Sequence, residues 1–300
     1  MKTTKLKNVG IYFKLLAAVV MWGGSFIATK IAVLEISPVT VVWSRFAIGV
    51  VLLGMTALQQ HQVSPPSAKE LLHFALLGFL GISLHQWLQS TGLVTSQAST
   101  TAWIVATTPL FMALMGWFFL KERIGWKSIA GILLATIGVL LVVSKGKLVN
   151  VLGGSFGAPG DLLVLISAPN WAVYSVLSRD ALKKHTALKM TFYVVLFGWL
   201  FTSMQFLAVN HWGEFNQIST QGWLSIAFLG IFCTYLAYIY WYDALQALPA
   251  AHVGAFLYIE PVVSTLIAAA ILKEEIVLAS VLGGGLTLFG VWLVDNKRQE

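Results

Sequence analysis

Two charged residues, Arg45 and Glu260, stand inside long apolar runs of this chain. Glu260 lies roughly 15 Å into its run at 1.5 Å per residue, a depth at which a carboxylate is costly. It must face a wet cavity or a partner, where it could carry a proton or hold a substrate ammonium. The plainer alternative is an interhelical hydrogen bond that serves packing alone. Arg45 lies about 10 Å from the nearer end of its run and cannot lose its charge. It needs a carboxylate, a helix C-terminus, a substrate anion or a route for its head to water. A structural tether is the expected role, ahead of substrate contact.

A third polar group sits between them in sequence. His85 and Gln89 are four residues apart and share a helix face, so with Gln86 they can offer donors and acceptors to one ligand. The plainer alternative is a bond to a neighbouring helix, at about 0.6 kcal/mol, and ligand contact is favoured over it because the glutamines are polar without being interfacial. The other histidines are not grouped at metal-ligand spacing, so neither a metal site nor a cofactor is expected. Trp103, Trp171, Tyr174, Tyr238 and Tyr258 are candidates to wall a cavity, ring faces holding an apolar solute and hydroxyls fixing its polar end. Packing is the competing role, and for Trp199, Trp212, Trp223 and Trp292 an interfacial belt is expected. Pro109 and Pro261 each remove a backbone donor from an apolar run and are candidate hinges.

The elements that must position these residues follow from composition. Of 300 residues, 58% are hydrophobic and 10% charged, with mean hydropathy +0.81. Soluble domains carry nearer a quarter charged residues, and a water-soluble fold could not cover this much apolar surface. Stretches of some 20 apolar residues, enough to cross about 30 Å of hydrocarbon, recur along nearly the whole chain. About ten are legible, near 11–33, 38–58, 71–93, 98–120, 126–144, 160–178, 187–209, 222–245, 250–272 and 277–295. They are continuously apolar, unlike the alternating strands of a membrane barrel. The net charge of +7 then reads as the basic bias of membrane loops, and no nucleic-acid partner is expected. Cys233, the single cysteine, can form no internal disulfide and is expected to pack.

An internal repeat organises these stretches. Residues 107–142 align without gaps to 259–294, with 13 identities in 36 positions. Pro109 meets Pro261, Lys121-Glu122 meets Lys273-Glu274, Gly131 meets Gly283 and Gly138 meets Gly290, and the same register carries Gly78 onto Gly230. Slightly shifted, Trp22 meets Trp171 and Lys30 meets Arg179. Each repeat holds about five helices, an odd number, so the second must enter the membrane from the opposite face. Loop charges agree. With the N-terminus inside, about fourteen Lys and Arg fall on the cytoplasmic side and about four outside, which places both termini in the cytoplasm. The expected fold is an all-α polytopic membrane protein of two inverted five-helix repeats, 10–144 and 157–295.

The early Trp22-Gly23-Gly24-Ser25-Phe26, the Ser44-Arg45-Phe46 of the second run, and the twice-used order of proline, apolar run, Lys-Glu and late glycines resemble the EamA family of the drug/metabolite transporter superfamily. That resemblance implies a ten-helix inner-membrane carrier, exporting amino acids or related metabolites without nucleotide hydrolysis. The chain departs from its own repeat where Glu275 stands opposite Arg123 and Glu260 opposite Thr108. The first departure follows from topology, and the second marks Glu260 for function.

No phosphate-binding loop of the form G-x-x-x-x-G-K-[ST] is present, which argues against direct ATP drive. The expected function is secondary or facilitated transport by alternating access, with a small-molecule solute, the lipid bilayer and protons as partners. Glu260 and His85 are its candidates for coupling or polar recognition. The alternative is an intramembrane enzyme acting on a lipid-linked substrate, which would need a catalytic grouping that does not stand out.

Overall fold

The structure is a computed structural model that describes residues 2–108, 110–111, 114–115, 126–147, 157–248, 253 and 256–295. Pro109, Lys121, Glu122 and Arg123 lie outside the described residues. In the first half run α1 (Lys2–Val33), α2 (Pro38–Gln59), α3 (Ala68–Thr95), α4 (Ala98–Val105) and α5 (Trp126–Val143). In the second run α6 (Pro159–Leu182), α7 (Ala187–Val209), α8 (Thr220–Ala247), α9 (Phe256–Leu272) and α10 (Leu278–Asp295). Among the described residues no strand occurs, and six helices are long and apolar enough to cross a membrane.

Local chemistry sets the helix ends. Ser37 caps α2 ahead of Pro38, whose missing amide costs nothing in a first turn. Ser67 and Glu70 form a reciprocal capping box at α3. Asn210 ends α7 in the left-handed conformation, φ 56°, before a 3-10 stretch at His211–Gln217. Large apolar side chains such as Leu72, Met204, Leu266 and Leu282 point outward and are exposed, as a lipid-facing surface requires.

The helices are not the continuous rods that periodicity suggests. α3 and α8 each contain a wide i→i+5 turn, at Phe79–Leu84 and Leu229–Leu236. These fall at matched places in the two repeats. The stretch expected as one helix over 98–120 leaves α geometry at the turn Ala106-Thr107. Its repeat counterpart α9 begins as a 3-10 stretch, Phe256–Ile259, and turns α-helical only at Glu260. Pro261 stands in that first α turn, where a residue without an amide leaves no bond unmade.

The ends of the helices meet on two faces, called proximal, where α1 starts, and distal. On the distal face the end of α1 meets the end of α3, through Lys30 Nζ and the Leu93 carbonyl at 2.7 Å. Thr95 at the end of α3 accepts from the Gly160 amide at the start of α6, 2.9 Å. On the proximal face Lys14 near the start of α1 pairs with Asp243 near the end of α8, 2.7 Å. So α1 runs from proximal to distal while its repeat counterpart α6 runs back, and the two halves are inverted. Packing follows the same symmetry. α1 lies on α8 as α6 lies on α3, while α2 packs on α7, α4 on α9 and α5 on α10, each against its own counterpart. In the α5–α10 pair a Cβ added to Gly283 would stand 2.6 Å from the Gly138 carbonyl oxygen, so glycine there permits backbone contact.

Three carboxylates bind backbone amides across the distal face. Glu35 accepts from the Ser219 amide at 2.8 Å, Glu214 from the Ser37 amide at 2.9 Å, and Glu274 from the Ala98 and Ser99 amides at 2.8 and 3.1 Å. Partial burial of Glu214 opposes its ionisation, but hydrogen bonds from Thr40, Ser37 and His211 together outweigh this and hold the carboxyl below its ordinary value.

A Cβ on Gly78 would stand 2.7 Å from both the Gly198 amide nitrogen and the Val194 carbonyl oxygen of α7. Backbone cannot yield as a side-chain tip can. Gly78→Val should therefore lower stability in detergent by about 1–3 kcal/mol, whereas Gly213→Ala, with nothing within 4 Å of its added carbon, should leave the melting temperature unchanged. Because the Glu214 pKa is depressed on folding, its contribution to stability is present at neutral pH and lost as pH falls through its folded value. Glu214→Gln should flatten the acid limb of a plot of melting temperature against pH, and an unaltered limb would refute the assignment.

Candidate functional site

A cavity of about 60 Å³ lies where the broken helices α4 and α9 meet α1, α2, α3, α6 and α8. Its walls come largely in repeat-related pairs. Trp22 faces it with Trp171, Gln86 with Tyr238, Val105 with Leu257, and Thr108 with Glu260. Such pairing puts the cavity on the axis that relates the halves, where inverted-repeat carriers place their sites. Arg45, His85, Gln89, Ser25, Phe26 and Ala106 complete the lining.

The wide turns place several of these groups. A turn of the i→i+5 kind displaces carbonyls from the regular ladder, and each needs a donor. In α8 the Cys233 carbonyl accepts from Trp22 Nε1 at 3.0 Å, which fixes the indole of a cavity-lining residue. In α3 the Leu80 carbonyl accepts from Asn170 Nδ2 at 2.7 Å, one residue before Trp171. Thr234, in the α8 turn, donates its hydroxyl to the Leu229 carbonyl at 2.9 Å and accepts from Arg45 Nε at 3.3 Å. Helix α1 therefore grips the turn of α8 as α6 grips the turn of α3.

Arg45 is 3% exposed. It donates to Gln86 Oε1 at 3.1 Å and to Thr234, both neutral, and so ties α2 to α3 and α8. Among the described residues no carboxylate pairs with it. Glu260 is 7% exposed, and among the described residues its carboxyl has no hydrogen bond or ion pair. His85 Nδ1 lies 3.2 Å from the Ser167 carbonyl oxygen. A carbonyl only accepts, so Nδ1 carries the proton, and Nε2 of the neutral ring is left as an acceptor. Gln89 Nε2 reaches Ser167 Oγ at 3.5 Å, and the His85 ring lies 4.7 Å from Trp171. Both residues thus bond α6 and face the cavity at once.

The cavity gathers seven of the candidate residues: Arg45, His85, Gln86, Gln89, Trp171, Tyr238 and Glu260. Three aromatic candidates lie away from its lining. Trp103 donates to Thr265 Oγ1 at 3.1 Å, and its ring covers Gly284, filling the place of an absent side chain. Tyr174 is fully buried and shares a hydrogen bond with the Tyr242 hydroxyl, a pairing that spends its polar end inside the core. Tyr258 packs with Leu110, Ala135 and Val291. Helical facing explains all three, because which side of a buried helix looks inward is set by its neighbours and not by residue type. The hinge candidate Pro261 lies at the 3-10 to α junction beside Glu260, and Pro109 lies outside the described residues. Thr108, Val105, Ala106, Leu257, Ser25 and Phe26 were not among the sequence candidates. The repeat register could have found Thr108, as the counterpart of Glu260, and the others carry no polar or periodic signal.

Lys30 caps the C-terminus of α3 through the carbonyls of Leu93, Val94 and Ser96 at 2.7, 3.2 and 2.9 Å. No group of three or more His, Cys, Asp or Glu that could hold a metal occurs among the described residues.

Fold and cavity together define a polytopic membrane protein of the inverted-repeat carrier class. The chain matches the EamA-like transporter family over residues 9–144 and 158–294, and it belongs to that family. It is 30% identical over 286 residues to an uncharacterized transporter of Archaeoglobus fulgidus, covering 93% of this chain and 96% of that one. It is 27% identical over 283 residues to a probable terminal-alkyne amino-acid exporter of Streptantibioticus cattleyicolor, covering 94% and 92%. A solved crystal structure superposes with TM-score 0.68 at 20% identity, covering 97% of this chain and 99% of that one, a likeness of fold.

The paired tyrosines generate a prediction. Tyr242→Phe leaves the Tyr174 hydroxyl buried without its partner, at a cost of about 1–3 kcal/mol. Since neither ring lines the cavity, thermal unfolding should shift while ligand affinity measured by tryptophan fluorescence stays at the wild-type value.

Proposed function

We propose that this protein is a secondary transporter or facilitator of the cytoplasmic membrane that exports amino acids or related small amphipathic metabolites by alternating access. The observation that carries the reading is the cavity walled by repeat-related pairs at the junction of inverted halves, with buried polar groups among aromatic rings. A space of about 60 Å³ admits water but not a metabolite, whose pockets run to about 300 Å³ or more. Loading the site therefore requires the halves to part. The breaks at Ala106-Thr107 and before Pro261 offer the joints for that movement, and the bond of Glu274 to the start of α4 is one that opening the distal face would break.

Orientation is read from charge. Lys14, Lys69, Lys127, Lys183, Lys184 and Lys189 lie toward proximal helix ends, against Lys30, Lys145, Lys147 and Lys273 at distal ones, so the proximal face and both termini are assigned to the cytoplasm. Glu260 and His85 are the coupling or recognition groups in this reading, with protons as the coupling ion. The similarity to the probable terminal-alkyne amino-acid exporter of S. cattleyicolor supports the substrate class.

The test is counterflow in proteoliposomes with labelled amino acids and metabolites at several pH values. Trans-stimulated exchange of at least one amphipathic solute is expected, and Glu260→Gln should abolish its pH dependence. Absence of exchange for every small solute by folded protein would overturn the reading.

A further inference from the structure

We propose that Arg45 and Glu260 are the two poles of one ligand site, Arg45 taking a carboxylate and Glu260 an ammonium, so that the cavity selects zwitterions over amines and over acids. This rests on the reading that the cavity is the transport site. It replaces the structural tether expected of Arg45 with direct recognition.

Arg45 is a buried charge without a counter-charge, and Glu260 is a buried carboxyl without a partner among the described residues. Arg45 and Glu260 both face the cavity and both are more than nine-tenths buried, yet no ion pair joins them. A guanidinium has five N–H donors. Gln86 and Thr234 engage two of them, and both partners are neutral oxygens. They fix the orientation of the head group, and the Phe46 ring 5.1 Å from its Cζ offers a π face but no anion. A buried charge without a counter-charge costs several kcal/mol, and a chain under no other demand would remove it. Here the charge comes from α2 in the first half, and the unpartnered carboxyl from α9 in the second.

A solute that carries both signs gives Arg45 an anion and the Glu260 carboxyl a partner in one event, and it touches both halves. An amine leaves Arg45 unpaired, and an acid leaves Glu260 unpaired, so either one loses affinity even where its remaining contacts are perfect. The rings of Trp22, Trp171 and Tyr238 line the same space and fit an apolar side chain. His85, with Nδ1–H committed to Ser167, offers only an acceptor on its other nitrogen and therefore favours the ammonium end.

The experiment uses the full-length protein in lipid nanodiscs and reads binding from intrinsic tryptophan fluorescence. The probes are phenylalanine, leucine and alanine, each beside the amine and the acid that share its carbon skeleton. The wild type should bind at least one zwitterion at least about tenfold more tightly than its matched amine and acid. Glu260→Gln should erase the preference over the acid and keep that over the amine. Arg45→Gln should do the reverse, with Arg45→Lys partly restoring the wild-type order. If Arg45→Gln does not fold, Glu260→Gln, nearly isosteric, decides alone. Equal binding of an amine or acid by the wild type, no binding of any probe, or an unchanged order in the variants overturns the two-pole site. Each of those results leaves the carrier reading standing as long as counterflow is seen. Loss of all counterflow in folded protein overturns the carrier reading instead.

Discussion

Inside a bilayer, an amide or carbonyl that leaves its helical ladder finds no water to replace the lost bond. That constraint governs this molecule. A closed bundle of ten regular helices would satisfy every backbone group and would have no place for a polar solute. Each departure from regular helix must therefore be matched to a named donor or acceptor. The Cys233 carbonyl meets the Trp22 indole, the Leu80 carbonyl meets the Asn170 amide, and the Leu229 carbonyl meets the Thr234 hydroxyl. The wide turns of α3 and α8 flank the cavity, and the residues that repair them are neighbours of the residues that line it.

Symmetry supplies the frame, and its violation supplies the chemistry. Trp22 and Trp171, or Val105 and Leu257, are alike in kind and shape the two sides of the cavity similarly. Thr108 and Glu260 occupy the same position in the repeat and are unlike, and Gln86 opposite Tyr238 is a second mismatch. Two halves that can exchange conformations need similar packing energies. A ligand, by contrast, has different ends. Duplication followed by change at a few lining positions meets both demands without disturbing the helix pairs α2–α7 and α5–α10 that hold the halves together.

The membrane-spanning runs, the duplication and its inversion were legible because each is written redundantly, in some twenty apolar residues per helix and in punctuation that recurs twice. Arg45 and Glu260 were legible because a charge in an apolar run has few structural reasons to exist. The wide turns were not. Their residues, FLGISL and LGIFCTYL, each hold one glycine, which in an apolar run marks close helix contact as readily as a wide turn, and the extra residue per turn is stabilised by side chains remote in sequence, Trp22 and Asn170. The same limit applied to Trp103 and Tyr174. Their residue types suit a binding wall, but Gly284 and Tyr242, distant in sequence, decide where those rings lie.

On the distal face three connections end in a carboxylate that closes the amides of a helix belonging to another part of the chain: Glu35 on α8, Glu214 on α2 and Glu274 on α4. Each of these loops is thereby cut to length. One residue inserted after Val33, Asn210 or Leu272 would carry the carboxylate past its target and leave two helix ends untied. Fusion tags, epitope insertions and labelling linkers placed there will disturb the membrane domain itself.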